Sequence, residues 1–586
     1  MPRLFAVMAL LLVCGQLPAQ DAPQQARALF DEYWQYQLRE NPLQATSIGD
    51  HRYNDRLPGM TLQDITRRVA AYRALLTRVN QLQPASLSAD DRISYDMMKL
   101  ELEVLIEGFE VKRHLMPLLV DDGFHIAFAF LPSMMPFQST RDYENYITRL
   151  RAFPVYANQH IELMRDALKA GFSLPRVILD GYELTISSHV VDDPAKSLFW
   201  KPFMSFPVTV PQGERARLTE DGRQAIKNGV VAGYRSFLQF YNAEYLPGAR
   251  SNIGASTLPN GTAYYRNTIR EFTTLDLTPD SIHRIGLAEV ARIRAEMDDI
   301  IAKVGFRGSF AEFLNFLRTD SRFYATTPEQ LLKEAAWIAK RMDGKLPALF
   351  GRLPRAQYSV APVPDHIAPK YTAGRYIGTS PGSTEPGYYW VNTYNLTSRP
   401  LYALEALTLH EAVPGHHMQI SLAQELEGVP DFRRNAYLSA FGEGWGLYSE
   451  RLGLEAGFFT DPYSNFGRLT YEMWRACRLV IDTGIHSKGW SRQQALDYMA
   501  SNTALSLHEV RTEIDRYIAW PGQALAYKLG ELKIRELRQR AERELGSRFD
   551  LREFHDEVLG AGSIPLGVLE RRIVEWINRK RVTSDE

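Results

Sequence analysis

The stretch from Leu409 to Ile420, LHEAVPGHHMQI, contains the residue types that bind zinc and activate water. The metallopeptidase signature H-E-x-x-H places two histidines one helical turn apart, with a glutamate between them as general base. Here His410 and Glu411 match the first two positions, but the fifth position is Pro414. The question is therefore whether a later histidine can reach the same ion.

Pro414 controls the spacing of this motif. In an unbroken helix, a residue six positions on lies about 240° around the axis, and one seven positions on lies about 10 Å along it. Neither His416 nor His417 could then share an ion with His410. Proline lacks an amide hydrogen and its ring collides with the carbonyl four residues back, while glycine, here Gly415, accepts unusual backbone angles. We expect a bulge or break that brings a histidine back beside His410, and geometry alone leaves both His416 and His417 possible.

A third ligand is expected in the segment YLSAFGEGWGLYSE, residues 437–450. Glu443 follows His416 by 27 residues, enough for a turn and a returning helix, and the surrounding glycines allow close packing. Glu450 lies two helical turns further along the same face. It suits a carboxylate that orients a ligand histidine from behind.

The composition of the cluster favours a catalytic metal. A lone His-Glu pair on a helix is usually a solvated or salt-bridged face, but three histidines around Pro-Gly and a glutamate at helix-return distance favour metal binding. Cys14 and Cys477 are the two cysteines, so the ligands must be His, Asp or Glu. Zinc suits two imidazoles, one carboxylate and an open position, and cobalt or manganese could substitute in vitro.

The whole chain gives few other clues to partners. It has 586 residues, a formal net charge of -1, and no basic run with interleaved aromatic residues, so we expect no nucleic-acid partner. Residues 1–20 combine an early Arg3 with a short apolar run and read as a cleaved signal peptide. We therefore expect a secreted or periplasmic protein without a transmembrane segment, and lipidation at Cys14 is the less favoured alternative.

Most of the chain has the periodicity of amphipathic helices, for example over residues 28–39 and 93–109, with Leu105 among the expected buried positions. Strand signals are confined to residues 356–364, where prolines suit an edge position, and 386–394. We predict a mainly α fold with a small antiparallel β-sheet beside the motif helix. A soft boundary divides an N-terminal helical region, 21–260, from a C-terminal catalytic region, 261–586.

The motif resembles the pattern H-E-x-x-P-G-H-x-x-Q of the bacterial domain-of-unknown-function family 885, matched by His410, Glu411, Pro414, Gly415, His416 and Gln419. The family's G-E-G-W segment is matched by residues 442–445, and further similarities extend over nearly the full length. The family is thought to belong with the zincin peptidases of the gluzincin type, which implies a large helical zincin-like fold. Its pattern favours His416 over His417 as ligand. His417 would then support the ligands from behind.

If zinc is bound, Glu411 is the expected general base. An additional donor to the developing oxyanion is expected among Tyr527, His486 and Arg478. Each has a structural alternative. Tyr527 can be a buried packing residue, Arg478 can pair with Asp482, and His486 can cap a helix end.

The aromatic strand before the motif helix is the candidate substrate-binding element. In zincins an edge strand at this position pairs with an extended peptide. The residues expected to line that groove are Tyr388, Tyr389, Trp390 and Asn392. An ordinary well-packed sheet element is an equal alternative.

These observations favour a secreted zinc-dependent peptidase that hydrolyses short peptides with metal-activated water. The preference for short peptides rests on analogy with other helical zincins, whose channels exclude folded proteins. One alternative is an amidase acting on a non-peptide or cell-wall amide. Another is a catalytically silent peptide-binding protein, although such a protein has no need of Glu411 as a base.

Overall fold

The computed structural model describes residues 22–120, 122–365, 367–379 and 385–582. The predicted signal peptide and Cys14 lie outside the described residues. None of the helices in the described part is long and apolar enough to cross a membrane.

Helices form most of the described chain. In the first half they are α1 (Ala22–Glu40), α2 (Pro42–Ser47), α3 (Leu62–Val79), α4 (Ala89–Glu110), α5 (Phe124–Ala129), α6 (Leu131–Met134), α7 (Thr140–Lys169), α8 (Leu184–Ser187), α9 (Gln212–Ala225), α10 (Ala232–Phe240), α11 (Leu246–Gly248), α12 (Gly261–Thr273) and α13 (Pro279–Lys303). In the second half they are α14 (Phe310–Thr319), α15 (Pro328–Asp343), α16 (Leu346–Leu349), α17 (Leu404–Glu411), α18 (His416–Gln424), α19 (Asp431–Arg434), α20 (Ser439–Leu452), α21 (Pro462–Lys488), α22 (Arg492–Asn502), α23 (Leu507–Ala519), α24 (Ala526–Leu545), α25 (Leu551–Leu559) and α26 (Leu566–Val582).

The predicted helical periodicity is confirmed, with one correction. Residues 28–39 lie in α1, and their apolar stripe is buried. Residues 93–109 lie in α4, but Leu105 is 37% exposed, while Leu102 and Ile106 are buried. The helix is apolar on more than one face, so periodicity alone selected the wrong leucine.

The sheet is mixed, and the prediction of an antiparallel sheet is therefore wrong. Its strands are β1 (Tyr358–Pro362), β2 (Gly374–Ile377) and β3 (Gly387–Val391), in the order β1-β3-β2. β1 runs parallel to β3, whereas β2 runs antiparallel to it. The chain passes from β1 at one edge of the sheet to β2 at the other edge, and then enters β3 in the centre. β2 has four residues, too few for the sequence to predict it as a strand. The predicted edge position of β1 is confirmed.

The central position of β3 also changes the expected substrate strand. Both sides of β3 are paired within the protein, by β1 and β2, so it cannot add an extended peptide as an edge strand does. β2 is the edge strand nearest to α17, because the backbone N–H of Tyr376 donates a 2.8 Å hydrogen bond to Glu411 Oε2.

The helices that carry the motifs pack closely around this small sheet. α17 contacts α15, α20 and α21 as well as β2, and α20 packs along α24. The main apolar core extends from α1 to α26 and includes residues from both predicted regions. No observation divides the described chain at residue 260, and the two-region organisation stays a prediction.

Candidate metal centre

The helix that carries His410 and Glu411 is interrupted at Pro414 and Gly415, as expected. α17 ends at Glu411, and α18 begins at His416. A side chain at position 415 would place its Cβ 1.8 Å from the carbonyl oxygen of His410, so only glycine fits. The indole nitrogen of Trp445 donates a 2.8 Å hydrogen bond to the Pro414 carbonyl and ties the break to α20.

This break brings His410 and His416 together on one carboxylate. The Nε2 atoms of both histidines lie 3.4 Å from Oε2 of Glu443. Two ligand atoms bound tetrahedrally to one zinc ion, each about 2.0–2.1 Å from it, are separated by about 3.3–3.4 Å. The three predicted ligands therefore have the donor types of a catalytic zinc site, and the separations of both histidines from Glu443 are those of ligands that share one ion.

The imidazole of His410 is held between two carboxylates of α20. Its Nδ1 lies 2.8 Å from Oε1 of Glu450, while its Nε2 faces Glu443. A hydrogen bond from Nδ1–H to Glu450 leaves the Nε2 lone pair available for a metal ion. Gly446 lies between the two glutamates, and a Cβ there would come within 2.7 Å of the His410 ring. This contact explains one of the three glycines in GEGWG.

The electrostatics of the cluster follow from these contacts. Burial lowers the pKa of His410, but hydrogen bonds with Glu443 and Glu450 outweigh it and raise the pKa to about 9. Burial raises the pKa of Glu443, and the charges of His416 and His410 lower it by more, to well below its usual range. Without a metal ion, the two carboxylates thus favour the positively charged form of the His410 imidazole.

Glu411 lies beside the ligands. Among the described residues, the ligand atoms of His410, Glu411 and His416 lie within 4.8 Å of one another. Oε2 of Glu411 already accepts the hydrogen bond from β2, and its side chain is buried. Glu411 is therefore held beside His410 and His416 by a hydrogen bond from the backbone of β2.

His417 faces away from this cluster. Its Nδ1 lies 2.9 Å from the hydroxyl of Tyr376, and its ring lies against those of Tyr358 and Tyr376. Burial lowers its pKa to about 4. The structure thus separates the two neighbouring histidines, with His416 among the candidate ligands and His417 between α18 and the sheet.

The three predicted oxyanion donors lie in different surroundings. Both ring nitrogens of His486 contact backbone atoms. Nδ1 lies 3.0 Å from the amide nitrogen of Ala255, and Nε2 lies 2.9 Å from the carbonyl oxygen of Tyr517. Arg478 donates to Tyr517 and Glu513, and does not pair with Asp482 as the structural alternative expected. These contacts give His486 a structural position within the protein, whereas Arg478 retains a buried Nη1 without a hydrogen-bond partner among the described residues.

Tyr527 is a second predicted donor with an available group. Its ring lies against the guanidinium of Arg478, at 4.2 Å, and its hydroxyl has no hydrogen-bond partner in the part of the chain that the structure describes. Its side chain is half-buried, and it interacts electrostatically with Tyr437 beside Glu443.

The predicted groove residues divide between the two faces of β3. Tyr389 and Asn392 are fully buried, and the amide of Asn392 donates to carbonyls of residues 368, 371 and 372. Tyr388 and Trp390 are half-buried on the face of β3 opposite to Tyr389, and Asn392 follows the end of the strand. The structure does not bring these four residues together along one groove.

Two further residues at the site were missed in the sequence. The hydroxyl of Tyr437 donates a 3.0 Å hydrogen bond to Oε1 of Glu443. Desolvation lowers the pKa of Arg375, but Tyr371 and Glu411 raise it by more, and Glu443 adds to this effect. Tyr437 is the first residue of the segment 437–450, in which Glu443 was predicted as a ligand. Nothing in the sequence around Arg375 indicated that this residue lies near the site.

The chain belongs to a family of bacterial proteins of unknown function, DUF885, whose model matches residues 42–573. It is similar to the crystal structure of a candidate lipoprotein from Colwellia psychrerythraea, with 29% identity and a TM-score of 0.88, covering 95% of this chain and 99% of that one. A candidate lipoprotein of unknown function from Shewanella oneidensis has the same fold, with 18% identity, a TM-score of 0.71, and 95% and 100% coverage. No curated protein matches the chain.

Proposed function

We propose that this protein is a zinc-dependent peptidase that hydrolyses short peptides. The observation that carries the proposal is the convergence of two imidazole nitrogens on one carboxylate oxygen, each at 3.4 Å, with Glu411 beside them. A purely structural ion pair has no need of a second carboxylate fixed at the same point. The arrangement supports the zincin-like relationship that the sequence resemblance implies.

His410, His416 and Glu443 would hold the metal ion. When bound, such an ion supplies positive charge that polarises an amide carbonyl and makes a neighbouring water molecule more acidic. Glu450 keeps His410 in the tautomer with a free Nε2, and Tyr437 orients the carboxylate of Glu443. Three protein ligands leave a position open for substrate, as catalytic zinc sites require.

Glu411 would transfer the proton. Its carboxylate accepts a proton from the attacking water as the new C–O bond forms, and donates it to the amide nitrogen as the C–N bond breaks. The hydrogen bond from Tyr376 N–H holds one oxygen of Glu411, so the other oxygen is available for this transfer. Two products result, a free carboxylate and a free amine, and Glu411 regains its charge.

Tyr527 is the proposed donor to the developing oxyanion. The Arg478 guanidinium lies against its ring and is itself held by Glu513 and Tyr517, which positions the phenol without occupying its hydroxyl. Arg375 adds positive charge on the side of β2, where it interacts with Glu411 and Glu443. A phenol and a guanidinium are both effective donors to negative oxygen.

The proposed location is the periplasm or the exterior of the cell. The expected signal sequence at residues 1–20 is the basis of this proposal. Two similar proteins are named as candidate lipoproteins, so a lipid anchor at Cys14 is the alternative to a cleaved, unmodified form. Metabolic labelling with a radioactive fatty acid distinguishes them, because the label enters the chain only if Cys14 is lipidated.

A Glu411→Gln variant tests the function directly. The change preserves shape and removes the base, so turnover of a mixed peptide library should fall by about 10²–10⁴-fold while zinc content is retained. Mass spectrometry of the library gives the turnover, and elemental analysis gives the metal. Turnover unchanged by this substitution would contradict the assigned role, and a wild-type protein that binds peptides without cleaving them would favour the binding-protein alternative.

A further inference from the structure

A cavity of about 170 Å³ adjoins the helix that carries Glu411. Leu404 and Leu407 of α17 form part of its wall, together with Ala373 next to β2. Leu407 precedes Glu411 by one helical turn, about 6 Å along the axis, and lies on the same face. One wall of the cavity is therefore one helical turn from the proposed general base, which does not itself line the cavity. An apolar cavity of about 150 Å³ accommodates one benzene ring, so this one is large enough for a single substrate residue.

Two polar groups in the cavity wall lack partners. Nε of Arg399 is buried without a hydrogen-bond partner among the described residues, and its Nη1 makes one 3.3 Å bond to the Ser398 carbonyl. Thr470 is 1% exposed, and its hydroxyl likewise has no partner in the described part of the chain. Leaving buried donors unpaired is costly, so these groups indicate that a polar ligand belongs there.

The second arginine in the wall provides an internal comparison. Arg318 donates to the carbonyls of Leu505, Ala500 and Thr503, which occupies its guanidinium with backbone atoms. Arg399 has neither such a set of acceptors nor a salt bridge with a described carboxylate. Its planar guanidinium is thus the group in this wall that is suited to bind a carboxylate from outside.

We propose that this cavity is the subsite for a substrate residue that carries a carboxylate, bound by Arg399, with its apolar part against Leu404 and Leu407. The inference rests on the proposed peptidase function and specifies its substrate class. The carboxylate can be the free C-terminus of the peptide or the side chain of Asp or Glu. In the first case the enzyme removes one residue from the C-terminus.

Glu509 also lines the cavity and must be included in its charge balance. Burial raises the pKa of this carboxyl to about 7, although Arg399 acts in the opposite direction. Where Glu509 is ionised it repels a carboxylate ligand and competes for Arg399. A Glu509→Gln variant should therefore bind a carboxylate ligand at least as tightly as the wild-type protein does.

Binding of small probes to the full chain tests the subsite without requiring turnover. Calorimetry compares N-acetyl-leucine, N-acetyl-leucinamide and N-acetyl-glutamic acid α-amide. The first or third compound should bind about tenfold or more tightly than the neutral amide, the effect of a hydrogen bond to a charged group. An Arg399→Met variant should lose this preference, while Met at the exposed Arg307 should leave it unchanged.

The outcomes separate this proposal from the peptidase proposal. Tighter binding of N-acetyl-leucine indicates the C-terminal carboxylate as ligand, and tighter binding of the glutamic acid amide indicates a side-chain carboxylate. Equal binding of all three probes, or a preference that survives in Arg399→Met, overturns the subsite even if peptides are cleaved. A preference lost in that variant supports the subsite even if no peptide is cleaved.

Discussion

At the scale of single residues, the centre depends on how His410 is held. Its two nitrogens face carboxylates seven residues apart on α20, and the space for its ring exists because position 446 is glycine. Orientation of a ligand histidine by a carboxylate is worth about 10–100-fold in metal affinity. The glycine and Glu450 would therefore contribute to the proposed metal site without touching the ion.

A Gly446→Ala variant should bind zinc about 10–100-fold more weakly. The added Cβ would lie 2.7 Å from Cε1 of His410, so the ring must rotate away from Glu450 or Glu443. Competition with a chromogenic chelator measures the affinity. The control is Gly567→Ala in α26, where no atom lies within 4 Å of the new Cβ. Wild-type affinity in Gly446→Ala would show that the ring position does not matter for the metal.

Zinc affinity should rise with pH up to about 9. In the metal-free protein, burial lowers the pKa of His410, but the Glu443 and Glu450 carboxylates outweigh it and raise the pKa to about 9, so at pH 7 a proton competes with the metal ion for this imidazole. Each pH unit below that pKa should cost about tenfold in apparent affinity. Titrations at pH 7 and 8.5, in buffers of different ionisation enthalpy, measure the affinity and the released protons. Proton-free uptake at pH 7 would contradict the assignment.

The sequence indicated the ligands better than their surroundings. His410, His416, Glu443 and Glu450 lie on two short segments with recognisable spacing, so their meeting followed from helix geometry and one break. Arg375 reaches the site from a four-residue strand. Its position depends on how the sheet meets α17, and no local pattern encodes such a contact. His486 illustrates the converse, since it lies in a well-marked segment but both of its ring nitrogens contact backbone atoms.

At the scale of elements, three helices place the proposed ligands. α17 and α18 supply the histidines, and α20 supplies both glutamates. α20 packs against α24, where Gly444 lies against Gly530. A Cβ at Gly444 would come within 2.5 Å of Gly530, and one at Gly530 within 1.9 Å of the Ala440 carbonyl. The close approach of α20 and α24 fixes the position of Glu443 relative to His410 and His416.

A Gly530→Ala variant should unfold at lower temperature, despite the better helix propensity of alanine. That propensity stabilises by up to about 1 kcal/mol, whereas overpacking costs about 1–3 kcal/mol, and here the clash is with backbone. Thermal unfolding measures the change, and Gly567→Ala serves again as the control because its site is open. An unchanged or higher melting temperature for Gly530→Ala would contradict the close contact.

Helices were predictable from the sequence, but the direction of the strands was not. Long periodic segments such as α1 carry their own signal, and the break at Pro414 follows from proline chemistry. Whether β1 and β3 run parallel depends on the route of the chain between them. That route includes β2, which is four residues long and too short for an alternation pattern to be recognised.

At the scale of the whole molecule, a buried group of charges joins three long helices. Lys528 of α24 is 0% exposed and lies 2.9 Å from Glu472 of α21 and 3.0 Å from Glu289 of α13. Arg468 also contacts Glu472, at 3.0 Å. These helices support α20 and Tyr527, so the charges contribute to the frame around the centre.

A Lys528→Met variant should reduce the free energy of unfolding by about 3–5 kcal/mol, because the buried carboxylates of Glu472 and Glu289 lose one of the cations that neutralise them. Urea denaturation measures the effect. Lys533→Met on the same helix is the matched control, since this more exposed lysine pairs with Glu536 and Glu570, and its loss should cost about 1 kcal/mol or less. Equal effects of the two substitutions would contradict the structural role of the buried group.

The most direct test of the centre is the metal content of the purified protein, measured by elemental analysis. The wild-type chain should contain about one zinc ion, which is lost in the His410→Ala, His416→Ala and Glu443→Ala variants and retained in His417→Ala. Absence of zinc from the wild-type protein, with none taken up on addition, would contradict the metal centre. So would a loss in His417→Ala that equals the loss in His416→Ala.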